Sequence, residues 1–465
     1  MRSLHITRRG LLGSGVTVGA IGLLAACGQA QMSSTEMDGD QPQAAEPAAE
    51  AGPKTEEVTL SVQDGGRWQE WAEGILNERF QAKYPNGQVV FTPRTGGQAH
   101  TFVELSVGLA AGQMPDLFKM GQAIAPSIYM AGLSIPLNPY FATWGMEPDF
   151  LPSTLDTVRV KGQLQGMPMM AANRSYWLRD DHMAEAGLTP PEAWTMDDQA
   201  DFATTMTKWK VLGKEIERYG FSPGNLGRDP EEAELNGIVE SNGVQWVTNG
   251  KAQGFVNGPE AIAGLEFQLR RKLGFNPHGS SYVGPEFSGY GAGFAGGYVS
   301  MIWGNAAIGR RVSTDAPEDV DQILVAPEPM GDQRAVSLSF NDWLGMGAAT
   351  KNPDVTWDLL LTVHEDDVLI AYDELTFYLP PRVSVANKAP YVQENAFLSG
   401  LLSNLQNVGL GRQPIPGWDK MRPIILEELA KAGAGELDAR DALDNVAARW
   451  DAVLQEPSIQ EFYNE

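Results

Sequence analysis

Val58-Thr59-Leu60-Ser61-Val62 alternates apolar and polar residues and stops at Asp64-Gly65-Gly66, which indicates a β-strand that ends in a turn. The next residues carry apolar side chains three and four positions apart, as on one face of a helix: Trp68, Trp71, Ile75, Leu76 and Phe80. The pattern then predicts a strand at 88–92, a helix at about 102–110 and a third strand near 114–118. This alternation predicts an α/β fold with a mostly parallel sheet covered by helices.

The alternation of predicted strands and helices continues toward the C-terminus. We predict strands at 175–178, 298–303 and 323–326, a helix from a capping box at Thr195 and Asp198 to about 212, and helices after Pro259 and Asn352. Two amphipathic helices, at about 419–432 and 437–455, close the chain. A chain of 465 residues with this content is expected to form two domains or lobes.

The N-terminus has the features of an export signal. Arg8 and Arg9 lead into a short apolar run that ends at Leu24-Ala25-Ala26-Cys27. The paired arginines resemble a twin-arginine signal, and the end of the run resembles a lipobox, so residues 1–26 are expected to be a signal peptide and Cys27 the lipidated residue. The alternative is an uncleaved anchor helix. Residues 27–57 are rich in Ala, Pro, Gln and Glu and are predicted to be a flexible tether.

Composition limits the partners. The net charge is −25, and removal of Arg2, Arg8 and Arg9 with the signal leaves 31 positive and 59 negative residues. Such a surface repels nucleic acid and anionic lipid headgroups. Because Cys27 is the only cysteine, the exported part is expected to be held by core packing, without disulfides.

Signals of catalysis or of a cofactor are weak. The five histidines have no metal-type spacing, so no metal site is predicted. Residues 291–296 match a GxGxxG pattern, but no strand–turn–helix unit frames them. The carboxylate pairs at 197–198 and 366–367 lie where helices begin, where capping explains them. We therefore predict no catalytic residue, no cofactor and no enzymatic activity.

Several separated stretches resemble family 1 extracellular solute-binding proteins, the substrate-capturing lipoproteins of ABC importers. They are residues 110–117 (AAGQMPDL), 132–140 (GLSIPLNPY), 162–168 (GQLQGMP), 185–194 (EAGLTPPEAW), 294–304, 326–331 and 352–361. The resemblance implies a two-lobed, periplasmic-binding-protein-like (type II) α/β fold with a hinge and an interlobe ligand cleft.

This resemblance also implies domain boundaries. Residues 58–168 would begin lobe 1 and 169–326 lobe 2, with 327–378 returning to lobe 1 and 379–465 completing lobe 2 and the C-terminal helices. The chain would cross between the lobes near 168–173, 327–329 and 378–382.

Loops at the carboxyl ends of strands would line such a cleft. Carbohydrates bind aromatic faces with their C–H surface and planar polar side chains with their hydroxyls. The ligand-binding residues predicted on that basis are Asp64, Trp68, Gln122, Asn173, Trp303, Asn305, Asp342, Trp343 and Arg382. Trp68 also fits a core position at the start of its helix, and Asp116 is expected to be a structural cap.

The expected function is capture of a small solute, most simply a mono- or oligosaccharide, by hinge closure and its delivery to an ABC permease. The protein would act as a lipid-anchored monomer on the extracytoplasmic face of the membrane or in the periplasm. Two alternatives remain open at this stage: a secreted carbohydrate-active enzyme, and a binding protein for a peptide or polyamine.

Overall fold

The computed structural model describes residues 57–63, 67–94, 98–121, 124–209, 216–222, 229–274 and 291–464. The predicted signal peptide, Cys27 and nearly all of the tether lie outside these ranges. None of the helices within them is long and apolar enough to cross a membrane.

A five-stranded sheet forms the first part of the fold. Its strands run in the order β2 (Gln88–Arg94), β1 (Glu57–Gln63), β3 (Leu117–Gly121), β13 (Asp342–Met346) and β6 (Met167–Pro168). β1 pairs in parallel with β2 and β3, which confirms the alternation predicted from residues 58–118. β13 joins from far along the chain and runs antiparallel to β3 and β6.

Helices cover this sheet, and together they form the unit called lobe 1 here. Buried side chains such as Leu76, Phe80, Phe118, Leu344 and Leu360 make its core. Its helices are α1 (Arg67–Trp71), a π-helical turn (Ala72–Leu76), α2 (Asn77–Lys83), α3 (Gln98–Ala111), α4 (Ala125–Met130), α5 (Asn138–Trp144), a 3₁₀ turn (Glu147–Asp149), α6 (Pro152–Asp156), α13 (Pro353–Val363) and α14 (Asp366–Thr376); the hairpin β4 (Arg159–Val160) and β5 (Gln163–Leu164) lies beside them.

A three-stranded antiparallel sheet forms the centre of a second unit, called lobe 2 here. Its order is β10 (Met301–Gly304), β7 (Ser175–Arg179) and β11 (Ile323–Val325). Around it lie α7 (Asp180–Glu185), α8 (Met196–Met206), α9 (Asp229–Ser241), α10 (Pro259–Gly274), α11 (Ala292–Ala295), α12 (Ala307–Asp315), a 3₁₀ turn (Pro317–Gln322), α15 (Val383–Ala386), α16 (Pro390–Gln393) and α17 (Ala396–Val408). Two short pairs complete it: β8 (Lys208–Trp209) with β9 (Ile216–Arg218), and β12 (Ser337–Ser339) with β14 (Gly409–Gly411).

The helix predicted from Thr195 to about 212 is shorter than expected. The capping box is present, since the Asp198 amide donates to Thr195 Oγ1 over 3.1 Å and Asp198 Oδ2 accepts from the Thr195 amide over 2.8 Å. The helix ends at Met206, because residues 208–209 pair as β8 with β9.

The C-terminal helices form a cluster of their own with α9 and α10. They are α18 (Trp418–Gly433), α19 (Ala439–Leu454) and α20 (Pro457–Asn464). The apolar face predicted for α19 is buried as expected, and its Trp450 packs against Trp246 and Trp418.

Three segments connect the lobes, and they run side by side. Ala171 exchanges backbone hydrogen bonds with Leu379, and the Phe340 amide donates to the Ala172 carbonyl over 2.6 Å. The second connection therefore lies at Phe340 and Asn341, between β12 and β13, and not at 327–329. Residues 327–339 stay with lobe 2, because the Met330 amide donates to the Trp194 carbonyl and β12 pairs with β14.

Candidate functional site

Lys119 and Asp342 form an ion pair on the five-stranded sheet. Asp342 begins β13 directly opposite Gly121 of β3, so Lys119 is its diagonal neighbour on the same face of the sheet. Lys119 Nζ lies 2.6 Å from Asp342 Oδ2 and 4.4 Å from the ring centroid of Trp68. One strand pairing thus places a cation over an indole beside a carboxylate.

Trp68 is half-buried and also contacts Tyr372. The two ring centroids are 4.3 Å apart and the rings are tilted by 50°. Tyr372 is fully buried, and burial, together with the charge of Asp342, holds its pKa well above the ordinary value. The indole of Trp68 therefore contacts the buried ring of Tyr372, on α14, and the ammonium group of Lys119. We name Trp68, Lys119, Asp342 and Tyr372 the lobe 1 cluster.

A second cation lies between aromatic rings in lobe 2. Arg174 directly precedes β7, and its guanidinium carbon is 5.4 Å from the ring of Trp303 and 4.6 Å from that of Phe340. Trp303 lies on β10 opposite Tyr176 of β7 and is 7% exposed. Phe340 belongs to the second connection between the lobes. We name Arg174, Trp303 and Phe340 the lobe 2 cluster.

Tyr378 lies between the two clusters, just before the third connection. Its hydroxyl is 3.5 Å from the side-chain amide nitrogen of Asn305, which follows β10. Burial raises the pKa of Tyr378, the charge of Asp342 raises it further, and Arg310 and Arg174 lower it. Phe340 and Asp342 are two residues apart in the chain, so the two clusters lie beside the same connection between the lobes.

Four of the predicted ligand-binding residues are brought to this region: Trp68, Trp303, Asn305 and Asp342. Asp64 and Gln122, which were also predicted, lie outside the described residues. Lys119, Arg174, Phe340 and Tyr378, which were not predicted, also lie in this region. A lysine near the end of a predicted strand was a signal that could have identified Lys119. Its partner Asp342 lies on β13, and the sequence does not reveal that β13 pairs with β3.

The side chain of Asn173 is buried and forms hydrogen bonds within the protein, so it does not line a cleft. It is 1% exposed, and its amide nitrogen donates to Ser337 Oγ over 2.8 Å and to the Leu401 carbonyl over 3.1 Å. These bonds join the start of β7 to β12 and α17. The prediction that Asn173 binds ligand is therefore corrected.

Trp343 is a core residue, contrary to the prediction. It is 0% exposed, its Nε1 donates to the Gly121 carbonyl over 3.0 Å, and its ring packs edge-on against Phe118. A Cβ atom built on Gly166 would lie only 2.2 Å from the indole, which shows how closely the backbone approaches it. The absence of a side chain at Gly166 makes room for the indole of Trp343 inside the sheet.

Arg382 also has a structural role in place of the predicted one. Its Nε lies 2.8 Å from Asp149 Oδ2, and its Nη1 donates to the His364 carbonyl over 2.7 Å. Ser384 donates to the same Asp149 carboxylate. Arg382 is 8% exposed. Its guanidinium group binds the third connection to Asp149 and His364 of lobe 1.

Asp116 has the structural role expected of it. Its Oδ2 accepts from the Thr59 amide over 2.9 Å, and its Oδ1 accepts from the Thr350 hydroxyl over 2.6 Å. Within the described ranges, no group of three or more His, Cys, Asp or Glu side chains is arranged to hold a metal ion.

The arrangement supplies binding groups of two kinds. Aromatic rings and aliphatic stems offer surfaces for C–H groups, while guanidinium, ammonium, carboxylate, amide and phenol groups offer hydrogen bonds. Most of these groups are held by strands or by the connections between the lobes, which fixes their geometry. Such a constellation suits a small polyhydroxylated solute.

Comparison with known proteins gives an independent line of evidence. Residues 62–361 match the family model of bacterial extracellular solute-binding proteins. A mannitol-binding protein of Pseudomonas aeruginosa is 26% identical over 345 residues, which cover 72% of this chain and 76% of that protein.

Solved structures agree with this at the level of the fold. The sugar-binding protein MalE of Xanthomonas citri superposes with a TM-score of 0.73 at 19% identity, covering 86% of this chain and 97% of that chain. A solute-binding protein of an ABC transporter from Thermotoga lettingae, bound to α-D-tagatose, gives a TM-score of 0.68 at 19% identity, covering 86% and 99%. Both share the two-lobed α/β architecture that the sequence predicts.

Proposed function

Because this chain belongs to the bacterial extracellular solute-binding protein family, we propose that it captures a carbohydrate between its two lobes and delivers it to the permease of an ABC importer. Closure of the lobes around the solute would use the three side-by-side connections as the hinge. The ligand would then contact both clusters at once. The closed form would be the one that the permease recognises.

The single observation that carries the proposal is the pairing of aromatic rings with hydrogen-bonding groups in both clusters. Trp68 lies with Lys119 and Asp342, and Trp303 lies with Arg174. A sugar offers a C–H face to an indole and hydroxyls to charged side chains at its rim, so each cluster can hold one face of a sugar ring.

The names of similar proteins support the same ligand class. They include the mannitol-binding protein, the protein solved with α-D-tagatose and one solved with mannotriose. These ligands are polyols or sugars of different size, which favours a carbohydrate over a peptide or polyamine for this chain.

A thermal-shift screen of the mature protein tests the proposal. We expect a sugar present at 100 times its dissociation constant to raise the unfolding free energy by about 2.7 kcal/mol. Peptides and spermidine belong in the same screen as the competing ligand classes. Release of reducing ends from oligosaccharides would contradict the binding function and favour the enzyme alternative.

The variant Trp68→Ala tests whether the sugar binds at the lobe 1 cluster. Loss of a stacking indole is expected to weaken sugar binding by about 2 kcal/mol or more, measured by isothermal titration calorimetry. Trp144→Ala is the matched control, since Trp144 is also half-buried in lobe 1 but contacts Phe141, Phe150 and Trp357. Equal affinities for the two variants would remove Trp68 from the proposed site.

The anchor is the second part of the proposal, and it rests on Cys27. We expect Cys27→Ser protein to be exported yet released from the membrane fraction, because stable anchoring requires the acyl chains that this thiol would carry. Fractionation and immunoblotting measure the outcome. Retention of the Cys27→Ser protein in the membrane would show that the apolar run near the N-terminus stays as the anchor.

A further inference from the structure

The last helix described, α20, is fixed to the C-terminal helix cluster of lobe 2. Its Ile459 is 2% exposed, and a Cβ atom built on Gly417 would lie 2.7 Å from the Cδ1 atom of that isoleucine. Tyr463 approaches the backbone in the same way, since a Cβ atom built on Gly250 would lie 2.9 Å from its Cδ2 atom. These close approaches leave α20 little freedom to move relative to that cluster.

Phe462 of the same helix contacts lobe 1. Its ring meets the ring of Tyr129, on α4, nearly edge-on, with 6.0 Å between the centroids and 84° between the planes. The ammonium nitrogen of Lys161 lies 4.8 Å from the centroid of the Phe462 ring. Both partners belong to lobe 1, and Phe462 packs against the buried core of that lobe. We name Tyr129, Lys161 and Phe462 the interlobe contact.

Lys161 occupies a backbone position that favours other residues. With Gly162 it forms the two-residue turn between β4 and β5, and both have positive φ angles, 49° and 77°. Glycine and asparagine adopt this left-handed region at the lowest cost, whereas a lysine there is strained. Strain of this kind points to a role for the side chain, and the ammonium group of Lys161 lies over Phe462.

The interlobe contact uses the part of lobe 1 that directly follows the strand of the lobe 1 cluster. α4 begins at Ala125, four residues after β3 ends at Gly121, and β3 carries Lys119. Met130, next to Tyr129, packs against the C-terminal helix cluster as well. The two lobes therefore touch at α4 in addition to the three connections.

We propose that α20 is a latch, in which Phe462 holds the lobes together and favours the closed form before any solute binds. This inference rests on the lobe closure of the proposed function and specifies what sets its equilibrium. When the lobes separate, Phe462 leaves Tyr129 and Lys161, whereas the buried Ile459 keeps α20 on lobe 2. The contact therefore stabilises the closed form alone, and a solute that binds this form gains affinity as its population rises.

Small-angle X-ray scattering of purified Cys27→Ser protein, with no solute added, tests the latch. We expect Phe462→Ala to lower the ratio of closed to open molecules about tenfold, since it removes an aromatic pair and a cation–ring contact. The radius of gyration should rise accordingly. Glu461→Ala is the matched control, because Glu461 is exposed on the same helix, and its radius should equal that of the Cys27→Ser parent.

Lys161→Asn separates the latch from folding stability. Asparagine adopts the positive φ angle more readily than lysine, so urea denaturation should show no loss of stability. The cation over Phe462 is nevertheless removed, so the ratio of closed to open molecules should fall about twofold to fivefold. The smaller change is expected because the ring contact with Tyr129 remains. If Phe462→Ala fails to fold, the comparison of Lys161→Asn with Glu461→Ala still decides the question.

The outcomes separate the latch from the proposed function. Unchanged radii for Phe462→Ala and Lys161→Asn, or an equal increase for Glu461→Ala, would overturn the latch and leave carbohydrate capture standing. A smaller radius for Phe462→Ala would also overturn it, because the contact would then hold the lobes apart. The scattering experiment contains no sugar, so a failure of the sugar screen would overturn carbohydrate capture without changing this result.

Discussion

Alanine at position 343 is expected to lower the free energy of unfolding by about 3–5 kcal/mol, the loss typical of a buried tryptophan. The indole fills a space closed by Phe118 and by the backbone of Gly166, and its Nε1 donates to the Gly121 carbonyl. Truncation leaves a cavity between β13, β3 and β6 and an unpaired carbonyl, because the surrounding sheet relaxes only in part.

Urea denaturation, followed by circular dichroism, measures this loss. Trp343→Phe is the matched control, since it keeps most of the ring but removes the hydrogen bond, and it should lose distinctly less stability. The folded fraction of Trp343→Ala should still bind the solute. A variant of wild-type stability that no longer binds would return Trp343 to the ligand site.

Glu328→Gln is expected to abolish the largest single pH dependence of stability that we assign in lobe 2. Glu328 is 6% exposed between two prolines, and its carboxyl group lies near the hydroxyl groups of Ser175 and Ser337. Burial raises its pKa to about 8, the two hydroxyls oppose that rise, and the nearby charge of Glu234 adds to it. The folded protein therefore keeps this proton at a pH where the unfolded chain has lost it.

The direction of the effect follows from that difference. Between pH 4.5, the ordinary value, and about pH 8, the folded state binds more protons, so the stability due to Glu328 is complete below this window and is lost as the pH rises through it. One proton corresponds to about 1.4 kcal/mol per pH unit, or roughly 4–5 kcal/mol over the window.

Denaturation of wild type and Glu328→Gln at a series of pH values measures the difference. The variant should gain stability relative to wild type as the pH rises from 5 to 8, because glutamine has no proton to lose. Comparing the two curves cancels other groups, such as buried His364, whose pKa burial lowers to about 3. Glu318→Gln, which removes a charge from an exposed turn, controls for net charge; parallel curves for wild type and Glu328→Gln would contradict the assignment.

Local patterns were sufficient to predict the first strands and helices of lobe 1, between residues 58 and 118, but not the antiparallel strand β13, so the sheet is less parallel than predicted. The alternation in β1 and the helical spacing of Trp71, Leu76 and Phe80 depend on neighbouring residues alone, and the five-stranded sheet has the predicted parallel pairs. The apolar face of α19 was predicted in the same way. Periodicity reports which face of an element is buried, and these elements are buried on one face.

The residues of the proposed site were predicted only in part, because its geometry depends on pairings between distant segments. Trp343 and Trp303 look alike in sequence, each beside a glycine, yet β13 is covered on both sides while the ring of Trp303 meets Arg174. Arg382, at the end of the predicted connection 378–382, is predicted to bind ligand as a planar polar side chain, but it pairs with Asp149 from a distant turn. Neither partner can be inferred from the residues nearby.

Phe340, Asn341 and Asp342 are consecutive, yet Phe340 belongs to one cluster and Asp342 to the other. Asn341 between them is fully buried and is held by Thr157 Oγ1 and the Thr154 carbonyl. An inserted or deleted residue here would shift both walls of the site together, whereas a substitution can alter one wall alone. Ligand preference at the proposed site can therefore be altered by exchange of side chains at this segment, but not by a change in its length.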